Sequence, residues 1–520
     1  MSNGIKHDAD PGHAPHHTVV DEDGSFGEVG EQRVQKIAIA ESRKIGVTGA
    51  VFLILNKMIG TGIPPPLTAC DIVFSTPSSV FAATGSVGVA IMLWVIGGVL
   101  TFCGLSVFLE FGLAIPRSGG EKNYLERVYR HPRYLATCVL ASQMILLGFS
   151  SGNSLAFGRY ILLAAGHQED SWIGRGIGVA CVTFATVLHS VLPRWGLRLV
   201  NVLGVFKVVI LLLIVFSGFA ALAGHRRVPD PRNFDGAFRL ETGDGWGGGG
   251  AYTYSTALLN VIYSYKGWEN ANYVIGELKH PRKTLVVAAP IAIGGVTILY
   301  VLANVAYFAA ISKEEMANSS LPVFVALSNM GNVLAVSFAH ARLNQEFGKE
   351  GLLPWSRFWA SVKPFGSPAA SLFLHWLVTV IVLVAPPPGP AYNFIVQLYT
   401  YPGAWINAFV AAGLIYLHYK KSERWTSPWH TYLPIVVLFL LSNVFLALVP
   451  FIPPEGDWNA DGYPYYVFPV VGVGVLLLGG VYWVCWTKIW PAVGGYKVVA
   501  ERIEDEEGNE VVRYRKIHTR

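Results

Sequence analysis

Residues 49–63, GAVFLILNKMIGTGI, decide the fold. The stretch begins as an apolar helix and meets Gly60, Thr61 and Gly62 before it is long enough to cross a membrane. A glycine inside a helix costs about 1 kcal/mol relative to alanine, so two glycines in three residues predict a change to open backbone. Lipid cannot form hydrogen bonds with the N–H and C=O groups of open backbone, so such a segment must line a cavity or face other protein. Alone, the stretch predicts equally well a binding site or a close-packed helix seam.

The composition of the whole chain indicates a membrane environment. Of 520 residues, 52% are hydrophobic and 14% are charged, whereas soluble chains carry about 25% charged residues. The net charge of +5 gives no reason to expect nucleic acid as a partner. The five cysteines are odd in number and scattered, and they predict neither a disulfide framework nor a metal site. The Gly-rich run lacks a phosphate-loop pattern, and we expect no cofactor.

Twelve apolar segments follow one another along the chain: 46–63, 88–115, 134–165, 173–192, 199–224, 252–276, 285–311, 321–345, 367–385, 392–418, 432–452 and 465–487. Lys and Arg are concentrated in the connections after the even-numbered segments. By the positive-inside rule these connections are cytosolic, and so are both termini. We therefore expect an integral, multi-pass protein in the lipid bilayer, with the plasma membrane as its location.

A second interrupted segment lies in the second half of the chain. Residues 256–285 read TALLNVIYSYKGWENANYVIGELKHPRKTL, and residues 263–270 are too polar for a helix that faces lipid. Broken helices in matching positions of two halves are the best sequence indicator of the central site of a transporter. Alternatively, segment 6 simply ends early and Lys266 faces the cytosol.

Five stretches together resemble a known group of membrane proteins. They are residues 56–63 (NKMIGTGI), 74–88 (FSTPSSVFAATGSVG), 115–129 (IPRSGGEKNYLERVY), 267–285 (GWENANYVIGELKHPRKTL) and 331–354 (GNVLAVSFAHARLNQEFGKEGLLP). The chain resembles the fungal methionine-permease branch of the L-type amino acid transporters, in the amino acid–polyamine–organocation superfamily. The resemblance implies an all-α polytopic membrane protein of the leucine-transporter type, with twelve transmembrane helices, an inverted five-plus-five repeat, and helices 1 and 6 broken.

The resemblance also implies a domain organisation. The transporter domain covers residues 45–490, with repeat one at 46–224, repeat two at 252–418 and two extra helices at 432–487. We expect residues 1–44 to be a disordered cytosolic tail, and residues 491–520 to be a cytosolic tail without a fold. The inner loop 342–364 is amphipathic enough to hold a short helix at the membrane interface.

The implied function is alternating-access transport of a neutral amino acid, with methionine as the first candidate. The alternatives are an amino acid sensor of the same fold that does not transport, and an amino acid exchanger. An enzyme is not expected, because no paired carboxylates or nucleophile–base pair stand at useful spacing. A disulfide-linked heavy subunit is not expected either, because the outer loop 166–172 lacks a cysteine.

A zwitterionic substrate needs two opposite kinds of recognition. Backbone N–H groups of Gly60, Thr61 and Gly62 are expected to bind the carboxylate, and main-chain carbonyls are expected to bind the ammonium. These carbonyls belong to Met58, Ile59, Tyr263 and Ser264. Candidates for recognising the substrate side chain are Tyr265, Lys266, Gly267, Trp268, Ser150, Ser151, Asn153, Asn329 and Asn332. For the last five, the alternative is an interhelical hydrogen bond worth about 0.6 kcal/mol.

Two charged residues inside apolar segments are candidates for coupling and gating. Lys207 lies in NVLGVFKVVILLLIVF, where a lysine costs about 2.5–3.5 kcal/mol on insertion scales. Its position is similar to a lysine that replaces a sodium ion in sodium-independent members of the superfamily, which makes proton coupling possible; the alternative is snorkelling to the inner interface. Glu110 lies near the inner end of segment 2, and we expect it to pair with an Arg or Lys.

The chain departs from the family pattern near the expected site. Residues 64–73, PPPLTACDIV, separate GTGI from FSTPSSV, and three consecutive prolines cannot continue a helix. This segment is either a genuine loop or an intron read as coding, and the cost of Asp71 at that depth favours the intron. Lys266 is a second departure, because a cation at that bend would repel cationic substrates or pair with an acidic one.

Overall fold

Long helices dominate the structure. Lipid cannot form hydrogen bonds with the backbone, and a helix satisfies these groups internally. The computed structural model describes residues 18–20, 26–28, 46–59, 76–115, 120–167, 171–225, 230–240, 250–269, 272, 278–310, 322–385, 391–453, 464–504 and 510–518. The described helices in the first part of the chain are α1 Val47–Met58, α2 Thr76–Thr84, α3 Val87–Ala114, α4 Glu121–Val128, α5 Leu135–Leu146, α6 Ser151–Ala164, α7 Ser171–Val191, α8 Pro193–Leu222 and α9 Ala251–Tyr265.

The later helices follow the same pattern of long apolar elements joined by short connections. They are α10 Pro281–Ala310, α11 Pro322–Glu350, α12 Ser356–Ala360, α13 Ala369–Val384, α14 Ala391–Tyr419, α15 Leu433–Leu448, α16 Val467–Val484 and α17 Trp490–Gly494. The short α12 lies within the inner loop 342–364, where the sequence predicts an interfacial helix.

Within the described residues, seven helical stretches are long and apolar enough to cross a membrane: 87–114, 135–164, 172–191, 193–222, 282–310, 433–451 and 467–494. The five other predicted segments also contain helices, namely α1, α9, α11, α13 and α14. The all-α polytopic membrane fold is therefore confirmed, whereas the number of twelve spans stays a prediction. At 12 and 15 residues, α1 and α9 are each too short to cross a hydrocarbon core of about 30 Å.

The outer helices present apolar side chains to their surroundings. Along α8, Val202, Leu213 and Phe216 are 63%, 58% and 66% exposed. Soluble proteins rarely leave such a continuous apolar surface in water. This face of α8 is suited to lipid, and its opposite face is buried in the protein.

Helix α1 lies at the centre of the helix bundle. It packs against α8, α10 and α11. Ile54, Leu55 and Met58 belong to the same buried apolar cluster as Trp94 of α3 and Tyr300 of α10. The C-terminal end of α1, where the sequence predicts a helix break, is therefore surrounded by protein.

Both tails contribute strands to a small antiparallel sheet. The strands are β1 Thr18–Val20, β2 Phe26–Glu28, β3 Tyr496–Glu504 and β4 Glu510–His518, in the order β2-β1-β3-β4. The sequence predicts no fold for 491–520, but β3 and β4 form a hairpin there. Mixed charge obscures an alternating pattern in which Val498 and Ala500 share one face and pack against the core. Strands β1 and β2 fall within the tail 1–44, and the rest of that tail lies outside the described residues.

The hairpin docks on the bundle through Tyr514. Its ring packs against Tyr134 and Trp486, with ring centres 5.0 and 5.3 Å apart. Its hydroxyl donates a hydrogen bond to Glu126 of α4 at 2.7 Å. The C-terminal strand is thereby attached to the connection that joins α3 to α5.

A buried ion pair lies beside this contact. The Lys122 ammonium is 2.5–2.6 Å from both carboxylate oxygens of Glu350 and 3.8 Å from Glu126. Lys122 is fully buried. Glu350 is the last residue of α11 and lies beyond the predicted span. Burial raises the pKa of Glu350 to about 7, although the Lys122 charge opposes this rise. Lys122 therefore compensates a carboxylate that is poorly solvated.

We expect Lys122→Met to lower the stability of the detergent-purified protein by about 3–5 kcal/mol, because Glu350 would remain buried without a counter-charge. In the variant the pKa of Glu350 would rise further. Between pH 6 and pH 8 the folded variant would then keep a proton that the unmodified protein releases, so the loss of stability should be larger at pH 8 than at pH 6. Thermal unfolding at both pH values measures the effect. Lys349→Met is the control, since its partner Glu346 is partly exposed. Equal losses in both variants would contradict the assignment.

Candidate functional site

The candidate site lies where α1 and α9 end. Helix α1 ends at Met58, and Ile59 departs from helical geometry with φ −80° and ψ 75°. Helix α9 ends at Tyr265, and Lys266 has an extended backbone with φ −65° and ψ 136°. Both endings fall where the sequence predicts the helices to break. Gly60, Thr61 and Gly62, together with the continuation of each span, lie outside the described residues.

The two helix ends lie side by side. Gly267 has a φ of +130°, and a Cβ atom built there would come within 2.7 Å of Lys57 Cγ. Two features therefore require glycine at this position: the positive φ of its backbone and the close approach of α1. Within the described residues, Lys57 of α1 therefore lies beside Gly267, in the turn that follows α9.

The last carbonyls of α1 have lost their helical partners, and side chains from neighbouring helices satisfy them. Asn332 donates to the Lys57 carbonyl at 2.5 Å, and Ser328 donates to the Ile59 carbonyl at 3.3 Å. The hydroxyl of Tyr300 contacts the Met58 carbonyl at 2.5 Å and the Ser264 carbonyl of α9 at 3.1 Å. Of the carbonyls predicted to bind an ammonium, those of Met58, Ile59 and Ser264 thus face α10 and α11, whereas the Tyr263 carbonyl accepts from the Lys266 N–H.

An ion pair connects the two helix ends. Lys57 Nζ lies 3.5 Å from Glu269 Oε1, with both side chains at most 6% exposed. The other carboxylate oxygen of Glu269 accepts a hydrogen bond from the Gly267 N–H at 2.9 Å. Glu269 therefore fixes the turn after α9 and compensates a lysine of α1 at the same time.

Lys266 contacts α14. Its ammonium donates to the Tyr399 carbonyl at 3.0 Å and lies 4.3 Å from the centre of the Tyr399 ring. A cation over an aromatic face is stabilised by the ring quadrupole. This explains how a lysine fits at a bend where the sequence favours a small residue. In the alternative reading, Lys266 faces the cytosol; the structure instead places its ammonium on Tyr399 of α14.

Lys266 and Trp268 line a cavity of about 70 Å³ between α5, α9, α14 and α15. This volume is enough for several water molecules. The cavity is lined by polar and apolar side chains: Glu121, Gln143, Met144, Leu259, Ile262, Glu269, Thr400, Ala404, Ile406, Asn407, Asn443 and Leu446. Trp268 also packs edge-on against Phe108, with ring centres 4.6 Å apart.

The predicted tyrosines of α9 differ in their surroundings. Tyr265 is fully buried, and its hydroxyl donates to the Trp94 carbonyl of α3 at 3.0 Å. Tyr263 is partly exposed and packs against Tyr399, with ring centres 6.0 Å apart. Tyr265 therefore holds α9 on α3, while Tyr263 packs on Tyr399, which Lys266 also contacts.

Most of the polar residues predicted on neighbouring helices make interhelical contacts. Ser150 lies 3.0 Å from His375, and Ser151 donates to the Thr379 carbonyl, so both connect to α13. Asn329 donates to a carbonyl of its own helix at 2.9 Å. Among the residues of this group whose partners are described, Asn332 is the one that contacts the end of α1.

Lys207 is fully buried on the protein-facing side of α8. Helix α8 packs against both α1 and α11. Because the whole side chain is enclosed, the structure does not match the snorkelling alternative. Lys207 thus lies in the interior of the bundle, on a helix that contacts both α1 and α11.

Glu110 pairs with different residues from those expected. His418 lies 2.7 Å and Trp425 Nε1 2.9 Å from one carboxylate oxygen, and the Thr431 N–H donates to the other at 2.7 Å. The prediction that Glu110 pairs with an Arg or Lys is therefore wrong for the contacts that the structure describes. Glu110, His418 and His430 are close enough to share a metal ion, but both carboxylate oxygens already accept N–H groups. This cluster joins α3 to the connection between α14 and α15.

Sequence reasoning missed Tyr300, Ser328 and Glu269. Tyr300 lies in an apolar run, and nothing local distinguishes it from a packing tyrosine. Glu269 did carry a signal, because it is a carboxylate beside the polar bend of segment 6. Its partner, Lys57, lies 212 residues away in the chain.

Comparisons with known proteins agree with this architecture. The family model described as "Amino acid permease" matches residues 45–476. The chain is 36% identical to the high-affinity methionine permease of Saccharomyces cerevisiae, covering 96% of this chain and 88% of that protein. It is 27% identical to the low-affinity methionine permease of the same yeast, with 89% and 85% covered. A mutant manganese transporter of Eremococcus coleocola shares the fold, with a TM-score of 0.54, 12% identity, and 88% and 97% covered.

The Lys57–Glu269 pair predicts a non-additive stability pattern. We expect Lys57→Met and Glu269→Gln each to cost about 3–5 kcal/mol, because each removes the opposite charge that lies nearest to a buried ionised side chain. The double variant should be more stable than either single variant, since it removes both members of the ion pair together. Thermal unfolding of the three purified variants measures this. Losses that simply add in the double variant would show that the two side chains act independently.

Proposed function

The chain belongs to the amino acid permease family, and on that premise we propose that it moves a neutral amino acid, methionine first among the candidates, across a membrane by alternating access. The resemblance noted in the sequence is confirmed by the family match and by the yeast methionine permeases. The family consists of permeases, which are transporters and not enzymes. The protein is an integral, multi-pass membrane protein.

The observation that carries the proposal is the meeting of two helix ends in the protein interior. The carbonyls of Met58 and Ser264 converge on one buried hydroxyl, which is where an ammonium would find two acceptors. In the proposed site, the N–H groups of Gly60, Thr61 and Gly62 bind the substrate carboxylate. Lys266, Trp268 and the cavity beside them are proposed to receive the substrate side chain.

A sensor that binds an amino acid without transporting it is the second candidate. Folded tails favour this candidate, and the hairpin of β3 and β4 docks on the bundle through Tyr514. The discriminating measurement is flux, because a sensor binds the amino acid and does not accumulate it. An exchanger differs from both, since its uptake requires amino acid on the opposite side of the membrane.

The transport proposal is tested by uptake of labelled methionine into vesicles, with a panel of unlabelled amino acids as competitors. The assay is run on the full chain and on a chain lacking residues 64–73, to determine whether that segment impairs transport. We expect accumulation, with the strongest competition from methionine and similar neutral amino acids. Binding without accumulation would instead support the sensor.

Gly62→Val tests the carboxylate site separately. The β-branched side chain would disturb the open backbone whose N–H groups bind the carboxylate, so we expect uptake to be lost while the protein still inserts in the membrane. Gly176→Val is the matched control, because a Cβ atom at Gly176 meets nothing within 4 Å. Normal uptake by Gly62→Val would refute the carboxylate role.

We propose that transport is coupled to protons through Lys207. The support is its complete burial on a helix that packs against α1 and α11. Buried lysines inside membranes are costly and usually functional. A neutral lysine that takes up a proton during the cycle would link the proton gradient to the arrangement of these helices.

Uptake should then rise with an inward proton gradient and be indifferent to sodium. In Lys207→Met the stimulation by the gradient should disappear, because the residue that binds the proton is gone. Lys279→Met, at an exposed position, should retain it. Strict dependence on sodium, or normal proton stimulation of Lys207→Met, would end this proposal.

We propose the plasma membrane as the location, with both termini cytosolic and no heavy subunit. The distribution of Lys and Arg supports this orientation. Pairing of β1 with β3 supports a common side for the two tails.

A further inference from the structure

Tyr300 of α10 connects the end of α1 to the end of α9. Its hydroxyl oxygen lies 2.5 Å from the Met58 carbonyl oxygen and 3.1 Å from the Ser264 carbonyl oxygen. The side chain is fully buried. The rings of Trp94 and Tyr265 pack against it, with ring centres 5.4 and 5.2 Å away. The hydroxyl is therefore held at the point where the two main-chain ends meet.

The hydrogen-bonding capacity of a hydroxyl does not match this position. A tyrosine hydroxyl supplies one proton, whereas two carbonyl groups approach it here. A primary ammonium supplies three N–H donors, and hydrogen bonds from a charged donor are about twice as strong as neutral ones. The pair of carbonyls is thus better suited to an ammonium than to the hydroxyl that occupies it.

A purely packing role for a buried tyrosine looks different, as Tyr401 of α14 illustrates. Tyr401 is also fully buried, and its hydroxyl donates to a single carbonyl, that of Ala447, at 2.7 Å. Ala447 lies inside α15, so this hydroxyl serves neither α1 nor α9. Tyr300 instead serves two acceptors at two different helix ends.

We propose that the Tyr300 hydroxyl occupies the amino-group site of the empty transporter and is displaced by the ammonium of the substrate. The inference rests on the proposed function and deepens it, since it makes Tyr300 a residue that sets affinity and selects substrates with a free amino group. In the empty site, the single hydroxyl proton can satisfy only one of the two buried carbonyls at a time. On binding, the ammonium replaces it at Met58 and Ser264.

Tyr300→Phe removes the hydroxyl and keeps the ring that packs against Trp94 and Tyr265. The measurement is the equilibrium Kd of the purified full chain for methionine and for its des-amino analogue, 4-(methylthio)butanoate. Tyr401→Phe is the matched control, because it removes a buried hydroxyl that is bonded to a carbonyl of α15 and to none of α1 or α9.

We expect Tyr300→Phe to bind methionine about 3- to 10-fold more tightly, because the ammonium no longer has to displace a hydrogen bond. The Kd of the des-amino analogue should be unchanged, since it brings no donor to the carbonyls in either protein. Tyr401→Phe should change neither Kd.

Weaker methionine binding by Tyr300→Phe, or no difference from the Tyr401→Phe control, would overturn the displacement mechanism while leaving the proposed function intact. If the unmodified chain bound no amino acid of the panel, both proposals would fall. A structure of the unmodified chain with methionine provides a test that does not depend on a variant. The ammonium should lie within about 3.5 Å of both carbonyls, with Tyr300 out of hydrogen-bonding range. Tyr300 remaining bonded to both carbonyls would contradict displacement.

Discussion

The structure depends on main-chain carbonyls that a helix leaves without partners inside the bundle. Helix α1 ends at Met58, among α8, α10 and α11, so its last carbonyls cannot turn to water. Side chains of α10 and α11 donate to them instead, with Tyr300 shared between α1 and α9. This requirement aligns the two helix ends and creates the acceptors that a small zwitterion can use.

Buried charges follow the same rule of local compensation. Lys57 is paired with Glu269, Lys122 with Glu350, and Lys266 lies on the carbonyl and ring of Tyr399. Each arrangement joins elements that are distant in the chain. Buried ion pairs contribute little net stability but strongly penalise the loss of one partner. They therefore act here mainly to hold specific helices together.

The C-terminal tail shows where composition alone is misleading. Residues 491–520 are polar and of mixed charge, which suggests no fold, yet β3 and β4 pair along nine positions each. The alternation of Val498 and Ala500 on one face is sufficient for a hairpin once a surface exists to cover it. That surface includes Tyr134 and Trp486, which are separated by most of the chain.

By itself the sequence determined the membrane environment, the helical segments and the approximate ends of α1 and α9, because hydropathy and glycine act locally along the chain. It also identified Lys207 and Glu110 as charged residues inside apolar segments. The partners of buried charges were decided only by the tertiary structure: Glu269 for Lys57, and His418 with Trp425 for Glu110. Tyr300 carried no signal in its own segment. Its importance arises because three-dimensional packing brings one hydroxyl to two carbonyls about 200 residues apart, and no pattern within a single helix records that meeting.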